Sequence, residues 1–352
     1  MKLAYSQPIA FLVILFLLIS CRSAPCLTCP PNGSDTTSHN FTWTTQMIGV
    51  TGLLRDVAII NDTLAYAVGE MYLNDSTGKI DPILYNLATW NGNNWSIRRV
   101  PYYYQGQPFY SPIYSIFAFN SNDIWFEAGI HWNGQQSNSI PLSIDFPSHI
   151  NKMWGTSSND LYIVGNNGLL AHRNADGRWT KLSSGTTLPI ADIWGARTLL
   201  GQWEILAVAG DPLNSYDRRI LRIEGSSVTT LSDNGINWAL SGVWFLPGIH
   251  YYCVGSGVYE KRSLNDPQWA NGPLDITTFY INAVRGTSAN DVYAVGAYGE
   301  FLHYNGATWR SFKAQTGLQY GQYYSVAVSG DNIFAVGEES LQAVVVQGRH
   351  LK

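Results

Sequence analysis

Residues 281–309 read INAVRGTSANDVYAVGAYGEFLHYNGATW, which contains three short apolar runs separated by turn residues and a fourth run that opens at Trp309. Short runs rich in β-branched and aromatic residues, bounded by Gly, Asn, Asp and Ser, predict β-strands joined by tight turns. The pair Asn305-Gly306 suits a turn whose backbone needs positive φ. The stretch therefore predicts one four-stranded antiparallel unit.

The same unit recurs along the chain, and two independent markers find it. One marker is an apolar residue in the first strand, present at Val57, Ile116, Met153, Ile193, Val243, Val284 and Val326. The other is a Gly after a small apolar residue, present at Gly69, Gly129, Gly165, Gly210, Gly255, Gly296 and Gly337. A repeat of about 40 residues with strand patterning is typical of β-propellers. We therefore predict an all-β, seven-bladed β-propeller with four-stranded blades over residues 41–350.

The ends of the repeat region predict how the ring closes. The seventh unit has three strands and no fourth, whereas residues 41–47, FTWTTQM, form a strand pattern before the first unit. Trp43 in this segment matches Trp309, so we predict that it completes the last blade and removes an exposed sheet edge. Blades are predicted to pack through a ring of aromatic residues at Tyr66, Phe126, Tyr162, Tyr252, Tyr293 and Phe334.

Residues 1–20 have the pattern of an export signal. Lys2 precedes an apolar run over residues 9–19 that is too short to span a bilayer comfortably. The run ends in Leu-Ile-Ser-Cys21, which resembles the bacterial lipobox and implies that Cys21 carries lipid; an ordinary signal peptide or an uncleaved anchor is the alternative. The resemblance, with Arg22 next, implies the bacterial cell envelope and its outer membrane, and hence a membrane partner.

Residues 21–40 are polar and Pro-rich, which predicts a flexible tether. Cys26 and Cys29 within it are interpreted as a local disulfide or two free thiols, because two ligands without a nearby His pair support zinc only weakly. A secreted eukaryotic protein is a further alternative, since glycosylation sequons begin at Asn40, Asn61 and Asn94.

Composition limits the partners. Charged residues make up 13% of the chain, the net charge is −4 and no basic run occurs, so the sequence argues against nucleic-acid binding. No sequence motif indicates a cofactor. His131, His172 and His303 fall on different blades, and we therefore expect no metal site among them. We expect a monomer.

Residues 154–179, WGTSSNDLYIVGNNGLLAHRNADGRW, and residues 281–309 resemble repeats of uncharacterised bacterial exported propellers. These are loosely similar to Asp-box (BNR-like) and photosystem-II-assembly-factor-like propellers. The resemblance implies the fold and covers about 300 residues, but such folds host binding proteins, scaffolds and glycosidases alike. Residues 174–179 only approach the Asp-box pattern, and the Arg triad and Tyr nucleophile of a sialidase are not evident.

Three residues break or test the repeat. Cys253 fits its position as a small buried residue. Glu127 stands at a blade-core position, so either the strand is displaced by one and Glu127 faces solvent, or it is a buried acid, functional or ion-paired. Arg285 stands where three units have Trp, and we interpret it as stacking on an aromatic ring or offering charge to a ligand near the channel. A pair between Glu127 and Arg285 is conceivable.

The connections between blades carry many aromatic residues, which in a propeller pass over one face toward the axis. Exposed aromatics with few charges suit a sugar or a protein partner, although half or more are expected to pack under their own loops. The predicted binding residues are Tyr110, Trp238, Tyr280, Tyr324 and Arg285. We therefore predict a membrane-anchored, non-enzymatic propeller that binds a protein or glycan; the alternatives are a carbohydrate-active hydrolase and a structural or assembly module.

Overall fold

The computed structural model describes residues 36–127, 129–134, 137–139, 149–212, 216–272 and 275–351. The strands of the first half, in chain order, are β1 (Phe41–Ile48), β2 (Thr51–Asn61), β3 (Leu64–Tyr72), β4 (Tyr85–Trp90), β5 (Trp95–Arg98), β6 (Tyr102–Tyr104), β7 (Gln107–Phe109), β8 (Ile116–Asn120), β9 (Asp123–Phe126), β10 (Ile130–Trp132), β11 (Ser137–Ser139), β12 (Ile150–Ser157), β13 (Asp160–Gly165), β14 (Leu170–Arg173) and β15 (Trp179–Lys181).

The second half is built in the same way and adds one short helix, α1 (Lys313–Thr316). Its strands are β16 (Ile190–Arg197), β17 (Trp203–Gly210), β18 (Arg218–Glu224), β19 (Ser227–Leu231), β20 (Leu240–Leu246), β21 (His250–Gly255), β22 (Gly257–Lys261), β23 (Ala270–Asn271), β24 (Ile281–Ser288), β25 (Asp291–Gly296), β26 (Phe301–Tyr304), β27 (Trp309–Ser311), β28 (Gln322–Ser329), β29 (Asn332–Glu339) and β30 (Gln342–His350).

These strands form a seven-bladed β-propeller, as predicted. Blades 1 to 6 are the antiparallel sheets β2–β5, β8–β11, β12–β15, β16–β19, β20–β23 and β24–β27, and β6 and β7 form a separate hairpin between blades 1 and 2. The first strands of successive blades contact one another around the whole ring, including β28 against β2. The first strands therefore line a central channel, and the fourth strands lie outermost.

The ring closes through the N-terminal strand, which confirms the predicted closure. Blade 7 has the order β1-β30-β29-β28, and β1 pairs with β30 from Phe41 opposite His350 to Ile48 opposite Ala343. β30 is thus paired on both sides, by β29 and by β1, and is not an exposed sheet edge. The chain makes contacts just before this strand as well, because the N–H of Thr37 donates to the carbonyl of Asn305 at 3.0 Å.

The aromatic ring between blades differs from the prediction in blade 2. Tyr66 lies opposite Ala58 in blade 1, and the equivalent pair in blade 2 is Trp125 opposite Phe117. Trp125, rather than Phe126, is therefore the ring member. The reason is that β9 ends at Phe126 and Glu127 turns the chain with a positive φ of 54°, so this blade is displaced by one residue relative to the Gly marker.

Several sequence predictions fall on residues outside the described ranges. They are the export signal, the lipid-modified Cys21, the pair Cys26 and Cys29, and most of the predicted tether. Within the described residues, no helix has the length and apolar character needed to cross a membrane.

Candidate ligand-binding face

The first strand of six blades carries a β-bulge near the end at which the strand begins. The bulged residues, which the antiparallel register skips, are Arg55, Asn151, Ala191, Ser241, Asn282 and Tyr324. In blade 2 the equivalent residue is Tyr114, just before β8. Because all seven share one level of the ring, they surround the channel opening on the face where the connections between blades arrive. We call this opening the channel mouth.

Three of the mouth residues hold neighbouring blades together. The side chains of Asn151, Ser241 and Asn282 donate hydrogen bonds of 3.0, 2.5 and 2.7 Å to main-chain carbonyls of the next blade. A buried carbonyl needs such a partner, so these three residues serve the assembly of the ring. They account for the mouth residues of blades 3, 5 and 6.

Large side chains occupy the mouth in three consecutive blades, 7, 1 and 2. The guanidinium carbon of Arg55 lies 5.1 Å from the ring centroid of Tyr114 and 5.3 Å from that of Tyr324, which is cation–π distance. Arg55 Nε is buried without a hydrogen-bond partner, and no carboxylate among the described residues forms an ion pair with Arg55. The two rings therefore position a cation whose charge is not neutralised by direct pairing.

A carboxylic acid contacts the backbone of Tyr114, one of the two rings that hold this cation. Oε1 of Glu127 accepts a 2.9 Å hydrogen bond from the N–H of Tyr114. Burial raises the pKa of Glu127 to about 7, although the hydrogen bond from the Tyr114 N–H lowers it. Glu127 is thus half-buried at the mouth rather than solvent-facing, and Arg285 is not its partner.

A second carboxylate lies on the blade 7 side. The hydroxyl of Tyr324 donates to Oε1 of Glu338 at 2.8 Å, and Gln322 Nε2 donates to both of these oxygens at 2.8 and 3.2 Å. Burial, followed by the hydrogen bond to Glu338, raises the pKa of Tyr324 to about 12. The phenol therefore stays neutral. Arg55, Tyr114, Tyr324, Glu127 and Glu338 form what we call the mouth cluster.

The raised pKa of Glu127 predicts a pH-dependent stability. Its value in an unfolded chain is about 4.5, so the folded state holds the proton more tightly. The stabilisation is complete below pH 4.5 and is lost as the pH rises to 7, an effect of about 2 to 3 kcal/mol. Urea unfolding of wild type and Glu127→Gln across this range measures it. We expect the free energy of unfolding of the wild type to fall relative to that of Glu127→Gln as the pH rises from 4.5 to 7. A difference that stays constant over this range would show that Glu127 titrates normally.

The residue that follows the mouth residue in each first strand lies one level deeper in the channel. Two of the residues in this layer are buried aspartates. Asp56 accepts hydrogen bonds from its own blade, from the N–H of Ile116 in blade 2 at 3.1 Å and from Ser325 in blade 7 at 2.7 Å. Lys152 of blade 3 reaches across to the same carboxylate with an Nζ–Oδ1 distance of 2.5 Å. One aspartate thus connects four blades.

The second aspartate makes the equivalent contacts three blades further on. Asp192 accepts from the N–H of Val243 in blade 5 at 3.0 Å, and both of its oxygens accept 2.8 Å bonds from Arg285 of blade 6. The Arg285 guanidinium also lies 5.1 Å from the ring centroid of Trp194. The predicted stacking of Arg285 is therefore present, and its charge is paired within the protein. A cavity of about 180 Å³ lies in the channel next to these pairs.

The other predicted binding residues lie on the same face but apart from one another. Trp238 is 40% exposed and stacks on Tyr216 at 5.5 Å. Tyr280 is half-buried and interacts with the Ser241 side chain. Tyr110 lies 5.9 Å from the guanidinium carbon of Arg99. Of the predicted aromatic residues, the structure brings only Tyr324 into the mouth cluster.

Sequence reasoning missed Arg55, and gave Tyr114 no special role. Arg55 looks like an ordinary exposed residue in a strand, and its partners are 59 and 269 positions away in the sequence. A signal was nevertheless available, because comparing the residue two places before each first-strand marker gives Arg and two Tyr in adjacent blades. Cys253 is fully buried, as predicted, and burial raises the pKa of its thiol.

Comparison with known proteins shows the fold and nothing finer. No family model matches the sequence, and no curated protein matches it. Solved structures do match. A structure described as YCF48 bound to D1 peptide is 17% identical with a TM-score of 0.65, over 94% of this chain and 100% of that chain. YCF48 from Cyanidioschyzon merolae is 14% identical with a TM-score of 0.61, over 87% of this chain and 98% of that chain.

A third match is an enzyme. A catalytically inactive virginiamycin B lyase from Staphylococcus aureus with quinupristin is 8% identical, with a TM-score of 0.64 over 89% of this chain and 100% of that chain. The YCF48 matches agree in fold with the predicted resemblance to photosystem-II-assembly-factor-like propellers. Because binding proteins and a lyase share the architecture, the fold does not decide the function, and the site residues must.

Proposed function

We propose that this chain is a non-enzymatic binding propeller that holds a carboxylate-bearing segment of a polypeptide at the channel mouth. The observation that carries the proposal is Arg55, a cation held by Tyr114 and Tyr324 and not paired with a carboxylate of the described chain. A guanidinium offers several N–H groups in a planar fork that matches a carboxylate. Stacking reduces the entropy that Arg55 loses on binding.

The composition of the mouth supports a polypeptide ligand. Tyr and Arg are the residues enriched at the centres of protein interfaces, where they supply most of the binding energy. A solved propeller of the same fold, YCF48, is bound to a peptide. In this proposal Trp238, Tyr280 and Tyr110 extend the face outward and contact apolar parts of the same partner. A glycan is the other ligand class that such rings accept.

The proposed test is a selection from a library of random peptides prepared with free and with amidated C-termini, so that some members carry no carboxylate, followed by direct binding of the selected peptides to the purified propeller. We expect peptides with a carboxylate group to be enriched, and Tyr324→Ala to weaken them about tenfold or more because it removes one of the two stacking rings. Tyr320→Ala, an exposed Tyr outside the mouth cluster, is the matched control.

Two results would count against this function. Failure of the library to yield any binder would remove the peptide ligand class, and a glycan array with the same variants would then test the glycan class. Hydrolysis of a glycan that is lost in Glu127→Gln would favour the hydrolase alternative, since a carboxyl with a pKa of about 7 suits a general acid.

We also propose that the propeller acts as a monomer anchored through Cys21 to the outer membrane of a bacterial cell envelope. The motif ending at Cys21 supports the anchor, because it resembles a lipobox, whose Cys is lipid-modified. Stable anchoring needs more than one acyl chain, and several chains on Cys21 would provide it. Labelling of cells with an alkyne fatty acid is expected to mark the wild type and not Cys21→Ala. Equal labelling of the two proteins would contradict lipid attachment at this residue.

A further inference from the structure

A structural pair of Asp and His recurs in three blades. A carboxylate at the start of the second strand contacts a His on the third strand, with Oδ1–Nε2 distances of 2.7, 2.8 and 3.1 Å for Asp123–His131, Asp160–His172 and Asp291–His303. In each case the His ring lies on an aromatic residue of the second strand. The pair is therefore part of the repeat, and it has no special role by itself.

Blade 6 departs from this pattern because a further His joins the pair. Nε2 of His350, at the end of β30 in blade 7, lies 3.5 Å from Oδ1 of Asp291. The ligand atoms of Asp291, His303 and His350 all lie within 4.8 Å of one another. The side chains of Asp291, His303 and His350 are 8%, 0% and 17% exposed, whereas those of His172 and Asp160 are 23% and 39% exposed.

The spacing of these atoms suits a transition-metal ion. Tetrahedral zinc bonds of about 2.0 to 2.1 Å place neighbouring ligand atoms about 3.3 Å apart. Oδ1 of Asp291 lies 3.1 Å from Nε2 of His303 and 3.5 Å from Nε2 of His350, and these two distances bracket this value. The hydroxyl of Tyr293 lies 2.7 Å from Asp291 Oδ1 and 3.1 Å from His350 Nε2, which places the phenol oxygen among the same ligand atoms.

A contact with His39, outside the set of metal-binding atoms, orients the ring of His303. Its second ring nitrogen, Nδ1, lies 2.9 Å from Nδ1 of His39, and His39 Nε2 lies 3.2 Å from Thr308 Oγ1. When His39 accepts the proton of His303 Nδ1, the lone pair of His303 Nε2 points to Asp291. Metal-binding histidines commonly have such a partner on the other nitrogen, which fixes the tautomer and the ring orientation.

We propose that Asp291, His303 and His350 bind one divalent transition-metal ion, with Zn²⁺ as the fitting species, and that the ion joins blades 6 and 7 at the ring closure. Two imidazoles and a carboxylate are ligands that Zn²⁺ accepts, and a solvent molecule or Tyr293 completes four-coordination. Phe41 of the closing strand contacts the rings of both histidines, at 4.2 Å from His350 and 4.9 Å from His303. The ion therefore stabilises the arrangement into which the closing strand packs.

The test is titration of EDTA-treated, tag-free protein with ZnCl₂ by calorimetry, and with CoCl₂ by visible absorption. We expect one ion per chain, the absorption bands of tetrahedral Co²⁺, and a melting temperature about 5 °C higher at Zn²⁺ a hundredfold above the dissociation constant. His350→Gln is expected to weaken Zn²⁺ at least 100-fold, and His39→Ala about 10-fold or more. His172→Gln, which removes a matching pair in blade 3, is expected to leave binding unchanged.

Several results would overturn the site. They are no Zn²⁺ binding by the wild type, equal binding by His350→Gln, and loss of binding in Cys26→Ser or in His172→Gln. Melting of every variant in EDTA separates a lost ligand from a lost fold, because His350→Gln without metal is expected to melt close to the metal-free wild type. A large loss of stability in that comparison would assign His350 a structural role in place of a metal-binding one.

Discussion

Asp192→Ala is expected to lower the free energy of unfolding by about 3 to 5 kcal/mol, because it leaves the guanidinium of Arg285 buried and unpaired. The two side chains share two hydrogen bonds of 2.8 Å, and they are 5% and 11% exposed. Asp192 also accepts from the backbone of blade 5, so the substitution leaves an unsatisfied N–H at the start of that blade. Equilibrium unfolding in urea measures the loss.

Two controls separate the buried charge from the general effect of a substitution. Arg222→Ala removes an ion pair whose partners are 40% and 59% exposed, and should cost about 1 kcal/mol or less. The double variant Asp192→Leu/Arg285→Met removes both charges, so it should be more stable than Asp192→Ala. A loss within 1 kcal/mol for Asp192→Ala would contradict the role of this pair in joining blades 4, 5 and 6.

Removal of residues 1–48 is expected to abolish the folded monomer, a loss of about 5 kcal/mol or more. The deletion takes away the eight register pairs between β1 and β30 and the packing of Phe41, Trp43 and Ile48. It also exposes β30, whose sequence QAVVVQGRH presents an apolar edge with unpaired backbone groups. Gel filtration and circular dichroism should show aggregates and no cooperative melting transition.

The closing strand can be tested further by supplying it separately. A synthetic peptide with the sequence of β1, FTWTTQMI, should restore monomer and cooperative melting when it is added during refolding, and a scrambled peptide should not. Removal of residues 1–35 alone is the matched control and should leave the melting temperature unchanged. A stable monomer without residues 1–48 would show that β1 is dispensable for closure.

Most of the fold was predictable from sequence, because propeller blades repeat local information. Turn residues and strand periodicity recur in every blade, and the missing fourth strand of the last blade identified its N-terminal replacement. The exception, blade 2, has a local cause: Glu127 adopts a positive φ, which displaces this blade by one residue relative to the Gly marker. The charged residue at a blade-core position indicated this displacement as one of several alternatives and did not decide between them.

The sites were less predictable, because they depend on which blades are neighbours and where side chains reach. Arg55 contacts Tyr324 only because closure places blade 7 beside blade 1, and Arg285 reaches Asp192 across the channel and not along a blade. His131, His172 and His303 were expected to lie apart on different blades, and no other histidine was considered as a partner of His303. His39 precedes the closing strand β1 and His350 lies at the end of its partner β30, so both come close to His303. Predicting the register of β1 against β30 could have revealed this.

The most direct test of the proposed function is a titration of one selected carboxylate-bearing peptide into wild type, Arg55→Gln and Arg197→Gln at constant pH and salt. Arg197 stacks on Trp203 at 4.5 Å at the opposite end of a first strand, so it is a matched stacked cation away from the mouth. We predict that Arg55→Gln weakens binding about 10- to 100-fold, as loss of a charged hydrogen bond implies, and that Arg197→Gln binds like wild type. Equal affinities for wild type and Arg55→Gln would contradict the account.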